Sequence, residues 1–400
     1  MALGHEVTFF TSDCTLYHGR QGSDALRLCR AIVETSPFDY DSFEKRALRI
    51  HQNRPFDAIV CLIDIRLVEA SRLAKKLGLR FLSQEVATLV RDKYHVRQRL
   101  SDCGIVQPEF ELATSNAELS AAVEKIGFPV LIKPCDGYGS QNIVTFRSQR
   151  DFEPARALFS NYLPCRTDYG LGVRANDRLL VERFVEGAVI GVETFTLEGK
   201  HRFLGINDKV FFPPPFFAIR GSSFPASRFD TEKIRDYVFS VLDAIGFDFG
   251  AAHTEVIVAE NGLYLVEVNA RLIGAKIPRL LGLALGRSVY SDVVNLHLGT
   301  LLEPKDAGLF AASRWLVASE EGVLREIVLP EQRDPAIRTV EMLKQPGDRV
   351  RPPFDNTDRL GYVMAVAGSA GEAERIAEEY SSRCCVLIDQ QSSASLKPIA

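Results

Sequence analysis

No stretch of this chain approaches the roughly 20 consecutive apolar residues that cross a bilayer. The start lacks a basic segment followed by an apolar run. Neither a membrane span nor a secretory signal is therefore expected, and a cytoplasmic location is. Charge of one sign is also missing: 48 basic residues face 52 acidic ones, a formal net charge of −4, and the basic residues are scattered. That excludes a polyanion-binding surface and argues against nucleic acid as a partner. The eight cysteines include no C-x-x-C pair, and none lies near closely spaced histidines, which excludes a structural zinc site. Several sit in apolar runs, such as Ile59-Val60-Cys61-Leu62, and read as reduced, buried thiols. There is no internal repeat and no low-complexity tract. The chain also lacks a Gly-Lys-Ser/Thr loop opening a helix. No Ser-His-Asp or Cys-His set suggests a covalent nucleophile.

What is present is an ordinary globular composition, 46% apolar over 400 residues, enough for two to four structural units. Met1 to Gly4 reads as the end of a helix, and His5 to Thr11 as a strand. A strand before that helix would complete a βαβ unit, so either the start is late or the N-terminal sheet lacks its first strand. Strands are expected at Phe56–Asp64 and Leu79–Leu82, flanking a helix from Arg66 to Leu77 that stops at Gly78. This predicts a small parallel α/β unit ending near residue 85. Helices follow at Leu89–Asp102 and Asn116–Ile126, the second capped by Ser115 or Thr114 and ended by Gly127. Residues 129–147 and 179–210 are β-rich. Beyond them come a helix at Thr231–Ile245, a hairpin at 253–268 and a leucine-rich helix over 276–298. The end reads as strand (Gly361–Gly368), helix (Ser369–Tyr380) and strand (Val386–Asp389). The run Pro213 to Pro215 is a stiff loop.

The strongest chemical signal is Ala252 to Arg271, two alternating strands around Asn261-Gly262. A two-residue Asn-Gly turn would put Glu255 and Glu267 on opposite faces. A three-residue loop, Glu260 to Gly262, pairs them directly and sets His253 against Asn269, with Arg271 following on the same face. Carboxylates side by side repel unless a cation lies between them, and Mg2+ on a nucleotide phosphate suits such hard oxygens. Asn269 adds a neutral oxygen, and Arg271 a fork for phosphate or carboxylate. A second signal is Phe128 to Ser140, where an apolar strand delivers Lys133 to a loop holding Gly137, Gly139 and Ser140. Such a loop can fold its N–H groups over phosphates. Taken alone it reads equally well as a hairpin turn with a surface lysine. A third, Leu179 to Gly187, is a strand ending at Glu182 and an apolar connector. It can present backbone groups to an adenine edge, and is by itself more typical of an edge strand and turn.

In order and spacing these pieces resemble the ATP-grasp superfamily. Within it they are most similar to the carboxylate–amine ligases that make dipeptides, the L-amino acid ligases. The resemblance implies an α/β fold of three regions: an N-terminal α/β region (1–86), an ATP-grasp core (87–300) and a C-terminal α/β cap (301–400). It implies ATP and Mg2+ (or Mn2+) as cofactors, and small carboxylate and amine substrates, amino acids among them. Nucleic acid and membrane are not expected as partners, and a homodimer stays open. Carried over by position, Lys93 and Lys133 match the phosphate lysines, and Gly137 to Ser140 the phosphate lid. Glu182 with the backbone of Phe184 and Val185 matches the adenine hinge. Glu255, Glu267 and Asn269 match the metal ligands, and Arg271 the arginine beside the transferred phosphate. At the position that often carries a ribose-binding acid this chain has Val189, with Glu186 and Glu193 at hand. The substrate loop, Pro213 to Ala226, has Ile219 and Ser222 where Glu and His are usual, and the adjacent Arg220 reads equally as a holder of a substrate carboxylate and as a surface arginine. The substrates are therefore expected to differ from the usual pair of neutral amino acids. Two other readings stay open: an ATP-grasp carboxylase or ligase acting on another biosynthetic intermediate, and a non-catalytic nucleotide-binding protein.

Overall fold

A computed structural model describes residues 4–17, 23–36, 39–137, 142–162, 178–213, 218–300, 303, 307–354 and 356–389. Near the start, β1 (Thr8–Thr11) and β2 (Ala31–Glu34) pair in parallel. Two helices follow, α1 (Tyr40–Asn53) and α2 (Leu67–Leu77). The strands expected at Phe56–Asp64 and Leu79–Leu82 do not form; neither segment has a ladder partner among the described residues, and Asp64 opens a short 3-10 helix (Asp64–Arg66). A strand requires a neighbour for its N–H and C=O groups, and among the described residues β1 pairs with β2 alone. The apolar run at 56–63 is therefore left half-exposed at Val60, Leu62 and Ile63.

The helix expected over 89–102 is two helices, α3 (Gln84–Val90) and α4 (Lys93–Asp102). Asp92 divides them. Its backbone is extended, and its carboxylate accepts from the N–H groups of Tyr94 and His95. That satisfies two orphan donors and makes Asp92 the N-cap of α4. Then come β3 (Phe110–Ala113) and α5 (Asn116–Ile126), whose limits and Ser115 cap agree with the sequence reading. With β4 (Val130–Pro134), β5 (Val144–Phe146), α6 (Gln149–Tyr162) and β6 (Leu179–Arg183) they build a four-stranded antiparallel sheet in the order β3-β6-β4-β5. One face of it is packed by Leu119, Val123 and Ile126 of α5.

A second sheet has eight strands. It takes β7 (Ala188–Leu197), β8 (Lys200–Phe211) and β9 (Ile219–Phe224), then, after α7 (Thr231–Ala244), β10 (Phe249–Ala259) and β11 (Gly262–Asn269). The leucine-rich helix expected over 276–298 is broken into α8 (Ile277–Leu285) and α9 (Val289–His297). Gly286, left-handed at φ +66, ends the first, and Ser288 caps the second. The sheet continues into β12 (Phe310–Leu316), then, past β13 (Gly322–Val328), β14 (Ile337–Met342) and, past β15 (Arg349–Val350), β16 (Gly361–Ala367). The described chain closes with α10 (Ala370–Ser382) and β17 (Cys385–Asp389). The order β11-β10-β7-β8-β9-β12-β16-β14 draws strands from both sides of residue 300. Val192, Ile206 and Val256 pack one face of this sheet against α4 and α7. Phe195, Phe224, Trp315 and Tyr362 pack the other against α8 and α9. Among the described residues no helix is long and apolar enough to cross a membrane.

Candidate active site

Glu255 stands directly opposite Glu267, and His253 opposite Asn269. The register agrees with expectation, but its cause differs. The turn is the two residues Glu260 and Asn261, since Ala259 pairs with Gly262. Val256 pairs with Leu265, so Val266 is an extra residue that shifts the ladder by one before Glu255 is reached. A β-bulge, not a longer turn, brings the carboxylates together. It also exposes backbone oxygen: the carbonyls of Leu265 and Val266 accept from Arg97 Nη2 at 2.7 and 3.1 Å.

Cations meet both carboxylates. Lys93 lies 3.0 Å from Glu267 and donates to the carbonyl of Gly137; its backbone N–H is bonded to Cys135 O. Lys209 of β8 pairs with Glu255 and lies 3.4 Å from His253 Nε2. The His253 Nδ1 is 2.6 Å from Glu193 and its Nε2 3.2 Å from Glu255. Gly191 makes room for that imidazole, since a Cβ there would lie 2.4 Å from His253 Cε1. Burial alone would raise the Glu255 carboxyl, but Lys209 and His253 hold it well below the usual carboxylate range. Burial likewise works against Glu267, as does the repulsion from Glu255, and Lys93 together with the Asn269 amide holds it below its ordinary value. Both groups are thus anionic oxygen donors at neutral pH. Asn269 Nδ2 donates to Glu267 at 2.9 Å, which leaves the amide oxygen for a cation.

Lys133 departs from its expected phosphate contact. It is buried, 2.7 Å from Glu182, and Glu182 is in turn 2.6 Å from Arg97 Nε. The Glu182 carboxylate is therefore enclosed between two cations and is not open to an adenine amino group, contrary to the sequence reading. Burial acts to raise Glu182, yet Arg97 and Lys133 hold it below its ordinary value, while burial lowers Lys133. The hinge N–H of Phe184 is also committed, to Pro129 O at 3.0 Å. Arg271, two residues beyond Asn269, is held by Asp64, which accepts from its Nε at 2.6 Å; its Nη1 donates to Leu272 O. Arg220 is turned elsewhere. A register shift between Val210 and Phe211 leaves it without a ladder partner, and its guanidinium pairs with Glu378 on α10, which also binds Arg314. Glu186 is exposed beside Arg147, and Glu193 is buried on His253, away from the hinge. Gly139 and Ser140 lie outside the described residues, as do residues 214–217 of the substrate loop.

Sequence reasoning missed Arg97, Lys209 and Asp64, and offered Glu193 for a ribose rather than for His253. Arg97 alone carried a usable signal: four residues beyond Lys93, it shares that lysine's helix face. Among the described residues no group of three or more His, Cys, Asp or Glu is placed to hold a metal ion. The donor set of two carboxylates and an amide oxygen fits a hard divalent cation that also takes ligands from a phosphate.

The ATP-grasp domain family matches residues 126–278, and the second C-terminal domain of the L-amino acid ligases matches residues 314–387. The protein y4rH of Sinorhizobium fredii is 32% identical over 70% of this chain, which spans 57% of that relative's length. An L-arginine-specific L-amino acid ligase of Bacillus subtilis is 25% identical over 76% of this chain and 73% of its own. The solved structure of an L-amino acid ligase from Bacillus licheniformis superposes with a TM-score of 0.79 at 21% identity, covering 97% of this chain and 94% of that one. That likeness establishes the fold.

Proposed function

We propose that this chain, an ATP-grasp protein with the C-terminal domain of the L-amino acid ligases, joins a carboxylate to an amine at the expense of ATP. The amide would form through an acyl phosphate, releasing ADP and phosphate. The observation that carries this reading is the pairing of Glu255 with Glu267 on one sheet face, with Asn269 and Lys93 bonded to Glu267. A divalent cation bound by Glu255, Glu267 and Asn269 would neutralise phosphate charge there. Lys93, Lys209 and Arg271 would hold oxygens of the transferred group, which makes the carboxylate oxygen a leaving group. Glu182 and Arg97 would fix Lys133 and the floor of the nucleotide cleft. The carbonyl of Phe184 and the backbone of Val185 remain the hinge proposed for adenine. Gly137, Gly139 and Ser140 would close over the phosphates and keep water out. The division at residues 86 and 300 stands as part of this proposal, as do amino acids as substrates; Arg220 as a carboxylate holder would first have to leave Glu378.

The test is a phosphate-release screen over single amino acids and pairs, with mass spectrometry of products. Glu267→Ala should lower turnover by about 10²-fold or more, the scale of a lost electrostatic contact in the transition state, with an unchanged far-UV spectrum. Unchanged turnover in that variant refutes the site.

A further inference from the structure

The sheet face that carries Glu255 runs on through β7 and β8 to a second polar group. Glu193 stands opposite Gly205, and Gly191 opposite Asn207. Glu193 and Asn207 are therefore diagonal neighbours on one face, with a glycine at each remaining corner. Asn207 is 0% exposed and Glu193 1%. Neither the Oδ1 nor the Nδ2 of Asn207, nor the Oε2 of Glu193, has a hydrogen-bond partner among the described residues. The other Glu193 oxygen is held by His253 at 2.6 Å. Aromatic rings stand over the glycines: a Cβ on Gly191 would lie 2.4 Å from His253 Cε1, and one on Gly205 would lie 2.6 Å from the Phe224 ring.

A buried amide and a buried anionic oxygen without donors are expensive to keep, and such groups persist where a ligand completes them. The open set is two acceptor oxygens, one of them charged, and one amide donor; the oxygens fit a cation with several N–H donors, and the Nδ2 fits an acceptor oxygen carried by the same ligand. The neighbouring side-chain cation on β8, Lys209, is committed to Glu255. We propose that Glu193 and Asn207 form the subsite that recognises the primary ammonium group of an amino-acid substrate, with His253 positioning Glu193. This rests on the ligase reading. His253 bridges Glu193 at 2.6 Å to Glu255 at 3.2 Å, so one imidazole separates the subsite from the candidate metal carboxylates. A small amino acid can address both.

The experiment is thermal-shift titration of the full chain with Mg2+ and a non-hydrolysable ATP analogue. The probes are the twenty L-amino acids and their des-amino counterparts, L-alanine against propionate being the first pair. The wild-type protein should be stabilised by at least one amino acid and not by its des-amino acid. Glu193→Gln and Asn207→Leu should each weaken that binding tenfold or more, with nucleotide affinity within twofold of wild type. Ligand-free Asn207→Leu should melt higher, by ~2 °C, because an unbonded amide gives way to an apolar group of similar size. A purely structural asparagine would show the reverse, a lower melting point with unchanged amino-acid affinity, and that result overturns the proposal. Equal binding of amino and des-amino acids, or an ordered water as the sole occupant in a high-resolution map with ligand bound, overturns it too. Amino-acid binding that depends on Glu193 and Asn207, in a protein that forms no product in the phosphate-release screen, supports the subsite and removes the ligase reading.

Discussion

Glu182 is a carboxylate sealed between Arg97 and Lys133, all three buried. Removing its charge leaves two desolvated cations facing each other. Glu182→Gln should therefore cost about 3–5 kcal/mol in denaturant unfolding, the scale of a broken buried pair. The sign of its pH dependence follows from its lowered pKa. A carboxyl held below its ordinary value of 4.5 contributes stability that is fully present above that value. The contribution is lost as pH falls through the lower folded value. The wild-type protein should lose this part of its stability on acidification below about pH 4.5, and Glu182→Gln should lack that component of the acid transition. A variant whose unfolding free energy and acid profile match the wild type would show that the pair holds nothing. The sequence could not disclose this arrangement. Arg97 and Glu182 are 85 residues apart, and an acid at the end of a strand reads as a ligand contact as readily as an ion pair. Glu255 and Glu267 were legible because a hairpin makes their relation local.

At the scale of elements, a stop signal was legible where the apolar spacing also ended, and not where that spacing ran on across it, as at Asp92 and at Gly286 to Ser288. The helix from Asn116 to Ile126 has Ser115 before it and Gly127 after it, and its limits were readable. The break at Asp92 was not, because the apolar spacing continues across it. Asp92 nonetheless fixes where Lys93 begins a helix: its carboxylate accepts from Tyr94 N at 3.0 Å and His95 N at 3.2 Å, and pairs with Arg178. Asp92→Ala should lower stability by about 0.5–2 kcal/mol, the usual worth of an N-cap. It should also raise the KM for ATP more than it lowers kcat, since Lys93 loses its anchored position while the transition-state contacts persist once nucleotide is bound. Unchanged KM for ATP in that variant would separate the cap from the site. The hairpin teaches a different lesson. Its pairing was foreseen through a three-residue turn, whereas the chain uses a two-residue turn and a bulge at Val266. Both routes shift the ladder by one, so alternation fixed which carboxylates meet and left open how. Only the bulge explains why the Leu265 and Val266 carbonyls reach Arg97.

At the scale of the whole molecule, the boundary read at residue 300 divides the sequence but not the sheet. β12 pairs with β9 from Ala311–Phe224 to Arg314–Gly221, which joins the candidate ATP-grasp strands to the C-terminal ones. The apolar cluster beneath α8 and α9 is shared in the same way, with Phe195 and Phe224 from one side and Trp315, Tyr362 and Met364 from the other. Sequence patterning marks where strands lie and is silent on which distant strands pair, so a region and a folding unit were indistinguishable on the page. A chain cut after residue 300 would leave β9 with an open edge of unpaired backbone groups and would strip three large side chains from that cluster. Such edges recruit other chains, and such clusters do not survive truncation. The 1–300 fragment should therefore be recovered as aggregate or melt without a cooperative transition, whereas the full chain should show coincident loss of far-UV and near-UV signal. Co-expression with residues 301–400 as a separate chain should restore solubility, because β12 can then re-form its ladder with β9. A soluble 1–300 fragment that melts cooperatively within a few degrees of the full chain would mean that the sheet gains nothing from its C-terminal strands.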